Sequence, residues 1–227
     1  GETVYVAGGT TGLGLETAQR SFWSLDLSRI DDADELEWKR LLPWPGPSRA
    51  FAITVAQHNG RNDCVYVMSG RRMSAGAGGD GEVQFLTDVY EFTPELYEPE
   101  AYDHETETYT GKVSPWRKRS DVPRCVMAGT AVKVGQSHIF VLGGADGTLY
   151  HTADELKDHH PGFPKEALAY HTITDTWVRL GRGPVGQEVR QCLSSGTSAI
   201  VVSRGRPGGF PGRWSVYRAV PVPAPRR

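Results

Sequence analysis

A short β-prone run that ends in glycine occurs four times in this chain, and it limits the fold more than any other feature. The runs are Val4-Tyr5-Val6-Ala7-Gly8-Gly9, Val65-Tyr66-Val67-Met68-Ser69-Gly70, Ile139-Phe140-Val141-Leu142-Gly143-Gly144 and, less regularly, Ile200-Val201-Val202-Ser203-Arg204-Gly205. Their last glycines lie 61, 74 and 61 residues apart. Each run is followed by a variable polar loop and then a strand carrying an aromatic: Phe22-Trp23-Ser24-Leu25-Asp26, Val89-Tyr90-Glu91-Phe92, Leu168-Ala169-Tyr170-His171 and Ser215-Val216-Tyr217. Tryptophan then opens a third run at Trp38, Trp116 and Trp177. A Pro-containing turn leads to a small-residue strand over 50–56 and again over 128–134. Internal repeats of this length are the mark of stacked or radial architectures.

The residue types explain the unit. Paired glycines let a strand end at positive φ and let its backbone pack close to a neighbour. Trp and Tyr supply each unit with apolar area to bury against the next sheet. One four-stranded sheet cannot bury both of its faces, so radial stacking of sheets satisfies the pattern. Helical periodicity is nearly absent, with a single turn expected around Asp154–Asp158. The fold class read from the chain is therefore all-β. The strands tally as three, four, four and three across successive units, about 14 in all.

Composition narrows the function classes. The 227 residues carry a net charge of −2, so no basic field exists to hold nucleic acid or an anionic membrane. No apolar run approaches the roughly 18–20 residues that span a bilayer. Cys64, Cys125 and Cys192 form no CxxC pair, which argues for buried thiols rather than a disulfide framework or a structural zinc. The chain starts at Gly1, which fits either a removed leader or an excised segment.

On these motifs the chain resembles the kelch β-propellers, and more narrowly the sialic acid mutarotases (N-acetylneuraminate epimerases), including their cyclically permuted branch. The carrying stretches are Phe85-Leu86-Thr87-Asp88-Val89-Tyr90-Glu91-Phe92, Val126-Met127-Ala128-Gly129-Thr130-Ala131, Gly143-Gly144-Ala145-Asp146-Gly147 and Pro161-Gly162-Phe163-Pro164-Lys165-Glu166-Ala167-Leu168-Ala169-Tyr170-His171-Thr172. The likeness runs from about Thr3 to Pro184. It implies a six-bladed ring of four-stranded blades. This chain would supply about 3.5 of them over residues 1–219, with a Pro-rich tail over 220–227. A truncated or frameshifted product, a proteolytic fragment, or self-association of two copies into one ring would each account for the shortfall; truncation is the favoured reading.

The resemblance also implies an activity: interconversion of the α and β anomers of free N-acetylneuraminate. That chemistry needs a base for the anomeric hydroxyl and a cation for the sugar carboxylate, and no cofactor. The family places its catalytic Glu and Arg in a Gly-Glu-x-x-Pro-Gly-x-Arg element. The matching positions here hold Arg204 and Phe210, so the fold and the sugar pocket carry over and the activity does not follow with them. Position in the repeat nominates Arg49, Arg71, Arg72, Arg124 and Asp146 as substrate-binding residues, and the best-matching stretch of the resemblance adds Lys165. Guanidinium forks suit a carboxylate. The partner expected is a sialic acid or a related sugar, and the alternative reading is a non-catalytic kelch module that binds a carbohydrate or a protein. The resemblance favours a periplasmic or secreted location.

Three further patterns are set aside. His151, His159 and His160 with Asp154, Glu155 and Asp158 read as a solvated loop rather than a metal centre. The stretch 73–81 reads as a mobile loop rather than a phosphate cradle. Gly8, Gly12 and Gly14 mimic a dinucleotide-binding turn, but no helix pattern follows them, and the Tyr-x-x-x-Lys that such a dehydrogenase needs is absent.

Overall fold

The computed structural model describes residues 3–28, 30–31, 36–74, 81–182, 188–195, 198–204 and 214–218, with side chains to residue 181, Lys157 apart. The first sheet joins β1 (Thr3–Ala7), β2 (Phe22–Asp26) and β3 (Trp38–Leu41). The second is built from β4 (Ile53–His58), β5 (Asp63–Met68), β8 (Val89–Phe92) and β11 (Trp116–Arg119). Between those strands lie two ribbons, β6 (Arg71–Ser74) with β7 (Glu82–Phe85), and β9 (Tyr102–Asp103) with β10 (Thr108–Tyr109). The third sheet is β12 (Thr130–Val134), β13 (His138–Leu142), β14 (Glu166–His171) and β15 (Thr176–Arg182). A four-residue helix, α1 (Ala153–Leu156), interrupts it. The fourth sheet is β16 (Glu188–Ser195), β17 (Ser198–Arg204) and β18 (Trp214–Arg218).

Within each sheet, neighbours in space are neighbours in the meander, and all pairings are antiparallel. The result is an all-β, β-propeller-like fold with almost no helix. Among the described residues these four sheets hold three, four, four and three strands, as read from the repeat, and the two ribbons are strands the repeat did not show. The stretch 73–81 is corrected in part: Met73 and Ser74 belong to β6, whose register with β7 pairs Met73 with Val83. After β1 comes only a single 3-10 turn over Leu15–Thr17, and β2 returns antiparallel, which leaves no room for a dinucleotide-binding unit.

Sheets pack face to face through two cores. Between the first and second sheets, Phe22, Phe92 and Trp116 meet with ring centroids 5.0 to 5.1 Å apart. Between the second and third, Tyr66 and Met68 pack on Val126, Ile139, Val141 and Tyr170. Burying each large side chain is worth roughly 1.5–3 kcal/mol. Two of the three recurring tryptophans play the same part: Trp116 Nε1 donates to the Leu42 carbonyl just past β3 (2.9 Å), and Trp177 Nε1 to the Ser120 carbonyl just past β11 (3.0 Å). The outermost strands of the second and third sheets are thereby stitched to the sheet before them.

The glycine that ends each central strand permits the next step. Gly70 sits at φ +97 where a Cβ would lie 2.6 Å from the Ala50 carbonyl, and Gly144 sits at φ +79 where one would lie 2.9 Å from that of Met127. That close approach lets the chain pair back on the loop leading to the innermost strand. Ala50 and Arg71 form one such bridge, and Met127 and Ala145 the equivalent one.

Candidate functional site

Each of these two bridges positions the side chains just past its glycine. The Ala50–Arg71 bridge places Arg71 over Phe51, and the Met127–Ala145 bridge places Asp146 at the head of the next loop. Between the two loops lies a cleft of about 420 Å³, lined by Arg71, Asp146, Tyr150, His160 and Phe163 among others. Arg71 is held between two aromatic rings, its Cζ 4.9 Å from the centroid of Phe51 and 5.1 Å from that of Tyr150. The rings orient the guanidinium without occupying its N–H groups. Its Nε is buried with no hydrogen-bond partner. A buried donor left unsatisfied costs about 1–3 kcal/mol, so the group is poised to gain from an acceptor.

Asp146 opens a tight turn in which its Oδ1 accepts from Thr148 N (3.0 Å) and Thr148 Oγ1 (2.8 Å). Gly147 follows at φ +88, and its missing Cβ makes room for the Phe85 ring, which a Cβ would approach to 2.5 Å. Phe85 in turn packs edge-on against Tyr150 at 5.6 Å. His160 Nδ1 accepts from Gly162 N at 3.0 Å. Since a backbone N–H only donates, the neutral imidazole carries its proton on Nε2.

Of the residues nominated from sequence, Arg71 and Asp146 meet in this cleft. Arg72, next along β6, points to the other face of the ribbon, donates from Nε to Gln84 Oε1 (2.7 Å) and lines a neighbouring open cleft with Asp88 and Tyr90. Lys165 is exposed, one residue past Pro164 of the cleft wall.

Arg49 and Arg124 are not at the cleft surface but inside the sheets. Arg49 is fully buried, with Nη2 2.7 Å from Asp88 Oδ2 and Nη1 donating to the Ser69 carbonyl. Arg124 donates to the carbonyls of Cys125, Gly143 and Glu166, and burial pulls its pKa down against the nearby Asp146 and Glu166 charges. Both arginines tie the end of their sheet's second strand to the start of its third. Arg204 ends β17 and is described as backbone only, while Phe210 and the 220–227 tail lie outside the described residues.

Sequence reasoning missed Phe51 and Tyr150 and set His160 aside as part of a solvated loop, whereas it lines the cleft. Phe163 was in view within the stretch 161–172 but carried no assigned role. Among the described residues no three His, Cys, Asp or Glu side chains stand close enough to hold a metal ion. Cys64 and Cys125 are buried free thiols, and burial pushes Cys64 up to about 11.

No protein-family model and no curated protein matches this sequence. Among solved structures, that of YjhT superposes with a TM-score of 0.52 at 19% identity, covering 99% of this chain. The chain spans 63% of the length of YjhT. The likeness is one of fold: a β-propeller-like arrangement of antiparallel sheets.

Proposed function

We propose that this chain is part of a kelch-type propeller of the sialic acid mutarotase kind and that it binds N-acetylneuraminate, or a closely related sugar acid, in the Arg71 cleft. The observation that carries this reading is the Arg71 side chain, its Nε without a hydrogen-bond partner and its Cζ over the Phe51 and Tyr150 rings, lining a cleft with Asp146 on its wall. A carboxylate satisfies the guanidinium edge, and aromatic faces suit the apolar side of a pyranose ring. The repeat motifs and the fold shared with YjhT support the architecture. Four sheets set against 63% of that chain fit a ring of about six.

A titration followed by proton NMR tests the binding. N-acetylneuraminate should bind, and its methyl ester should bind about 10–100-fold more weakly, the worth of one charge-assisted contact. Arg71→Ala should remove the difference between acid and ester. Equal affinity for acid and ester, or no effect of R71A, would sink the assignment. A second reading, a sugar-binding module without catalysis, is favoured by Arg204 and Phe210 standing where the resembled family has Glu and Arg. Anomer exchange no faster than in buffer would select it.

A further inference from the structure

The missing family pair leaves open which groups would move the proton if the chain is catalytic. Two side chains on the wall of the Arg71 cleft have the needed chemistry and have it fixed in complementary senses. Asp146 spends Oδ1 on Thr148, and its Oδ2 has no hydrogen-bond partner among the described residues, so it is a pure acceptor. His160 spends Nδ1 on Gly162 N, so the atom left over, Nε2, is a donor. Asp146, His160 and Arg71 all line one cleft.

We propose that Asp146 is the proton-transfer group and His160 the hydrogen-bond donor for anomerisation in this chain, in place of the residues lost at positions 204 and 210. The proposal rests on the sugar-acid reading above. With the carboxylate on Arg71, Asp146 Oδ2 takes the proton of the anomeric hydroxyl. The freed O–H electron pair forms the ketone as the bond between the anomeric carbon and the ring oxygen breaks. That bond's pair stays on the ring oxygen, which His160 Nε2–H stabilises and to which Asp146 returns the proton. Rotation of the ketone and the reverse sequence close the ring on the other face. Nothing is oxidised or reduced, and no group beyond the sugar and these side chains takes part.

The test measures binding and exchange separately on the same samples. Asp146→Asn keeps the turn, since Asn Oδ1 also accepts from Thr148. It should slow anomer exchange of N-acetylneuraminate by about 100-fold or more while leaving affinity within a few-fold. His160→Ala should slow exchange about 10-fold, and His160→Gln, whose amide N–H replaces Nε2–H, should restore most of it. A two-bond proton–nitrogen spectrum should place the neutral His160 proton on Nε2. The proposal falls if D146N exchanges at the wild-type rate, if the proton sits on Nδ1, or if the wild-type chain binds the sugar without accelerating exchange. In that last case the sugar-binding reading survives. Loss of binding in the wild type itself would overturn both.

Discussion

Arg49 lies between the Trp44 and Tyr90 rings with its Cζ 5.2 and 5.6 Å from their centroids, and Arg71 lies between Phe51 and Tyr150 at similar range. What separates the two is the edge of the guanidinium. In Arg49 it is filled by Asp88, Ser69 and Pro47 oxygens, whereas in Arg71 it faces the cleft with Nε unpartnered. Removing one member of a buried ion pair leaves the other charge desolvated, so Arg49→Met should cost about 3–5 kcal/mol. Urea melts read this as a lower midpoint at unchanged slope. A melt like that of the wild type, with sugar affinity lost, would instead make Arg49 a ligand contact. Sequence places both arginines near a loop end but is silent on which edge is filled. That depends on Asp88, 39 residues away from Arg49, and on backbone carbonyls common to every residue.

At the level of elements, the sheet strands were legible because β-branched and aromatic residues recur between glycines at a fixed spacing. The ribbon β6–β7 was not, since Arg71-Arg72-Met73-Ser74 shows no alternation and the Gly- and Ala-rich stretch after it mimics a linker. The cleft was half legible: Arg71 and Asp146 follow the glycines directly, but Tyr150 and His160 reach it only because the chain folds back after Asp146. A second feature beyond local sequence is the staple between sheets. Arg119, at the end of β11, donates to Tyr170 Oη (3.0 Å) and the Thr172 carbonyl (2.6 Å), while Asp175 Oδ1 accepts from Tyr170 Oη (2.7 Å) and Ser120 N (2.9 Å). Burial pushes the Asp175 carboxyl up, but these hydrogen bonds and the Arg119 charge outweigh it and hold the group below the usual carboxylate range. A carboxyl whose folded pKa is depressed stabilises the fold above its unfolded pKa, and the gain is lost as pH falls through the folded value. Asp175→Asn should therefore be less stable than wild type at neutral pH, by about 1 kcal/mol at most for a carboxylate still partly open to solvent. The gap should close below about pH 4. A gap that persists at pH 2 would mean that the ionised carboxylate is not the source.

At the scale of the whole molecule, the second sheet has neighbours on both faces and the first has one. Val65 and Val67 in β5, and Ile139 and Val141 in β13, are buried by the sheet that precedes them. Their counterparts in β1, Val4 and Val6, are 40% and 45% exposed, and Trp38 on the same sheet is 45% exposed. Among the described residues nothing covers that face. Its consequence is colloidal. Excluded salts such as ammonium sulfate raise the cost of wetting apolar surface, so this face should set the concentration at which the chain salts out. Lysine at both Val4 and Val6 should move precipitation, followed by light scattering, to higher salt, and Val113→Lys, at an exposed valine outside the first sheet, should leave it where it was. If the two variants precipitate together, the valine face is not what limits how concentrated a solution of this chain can become.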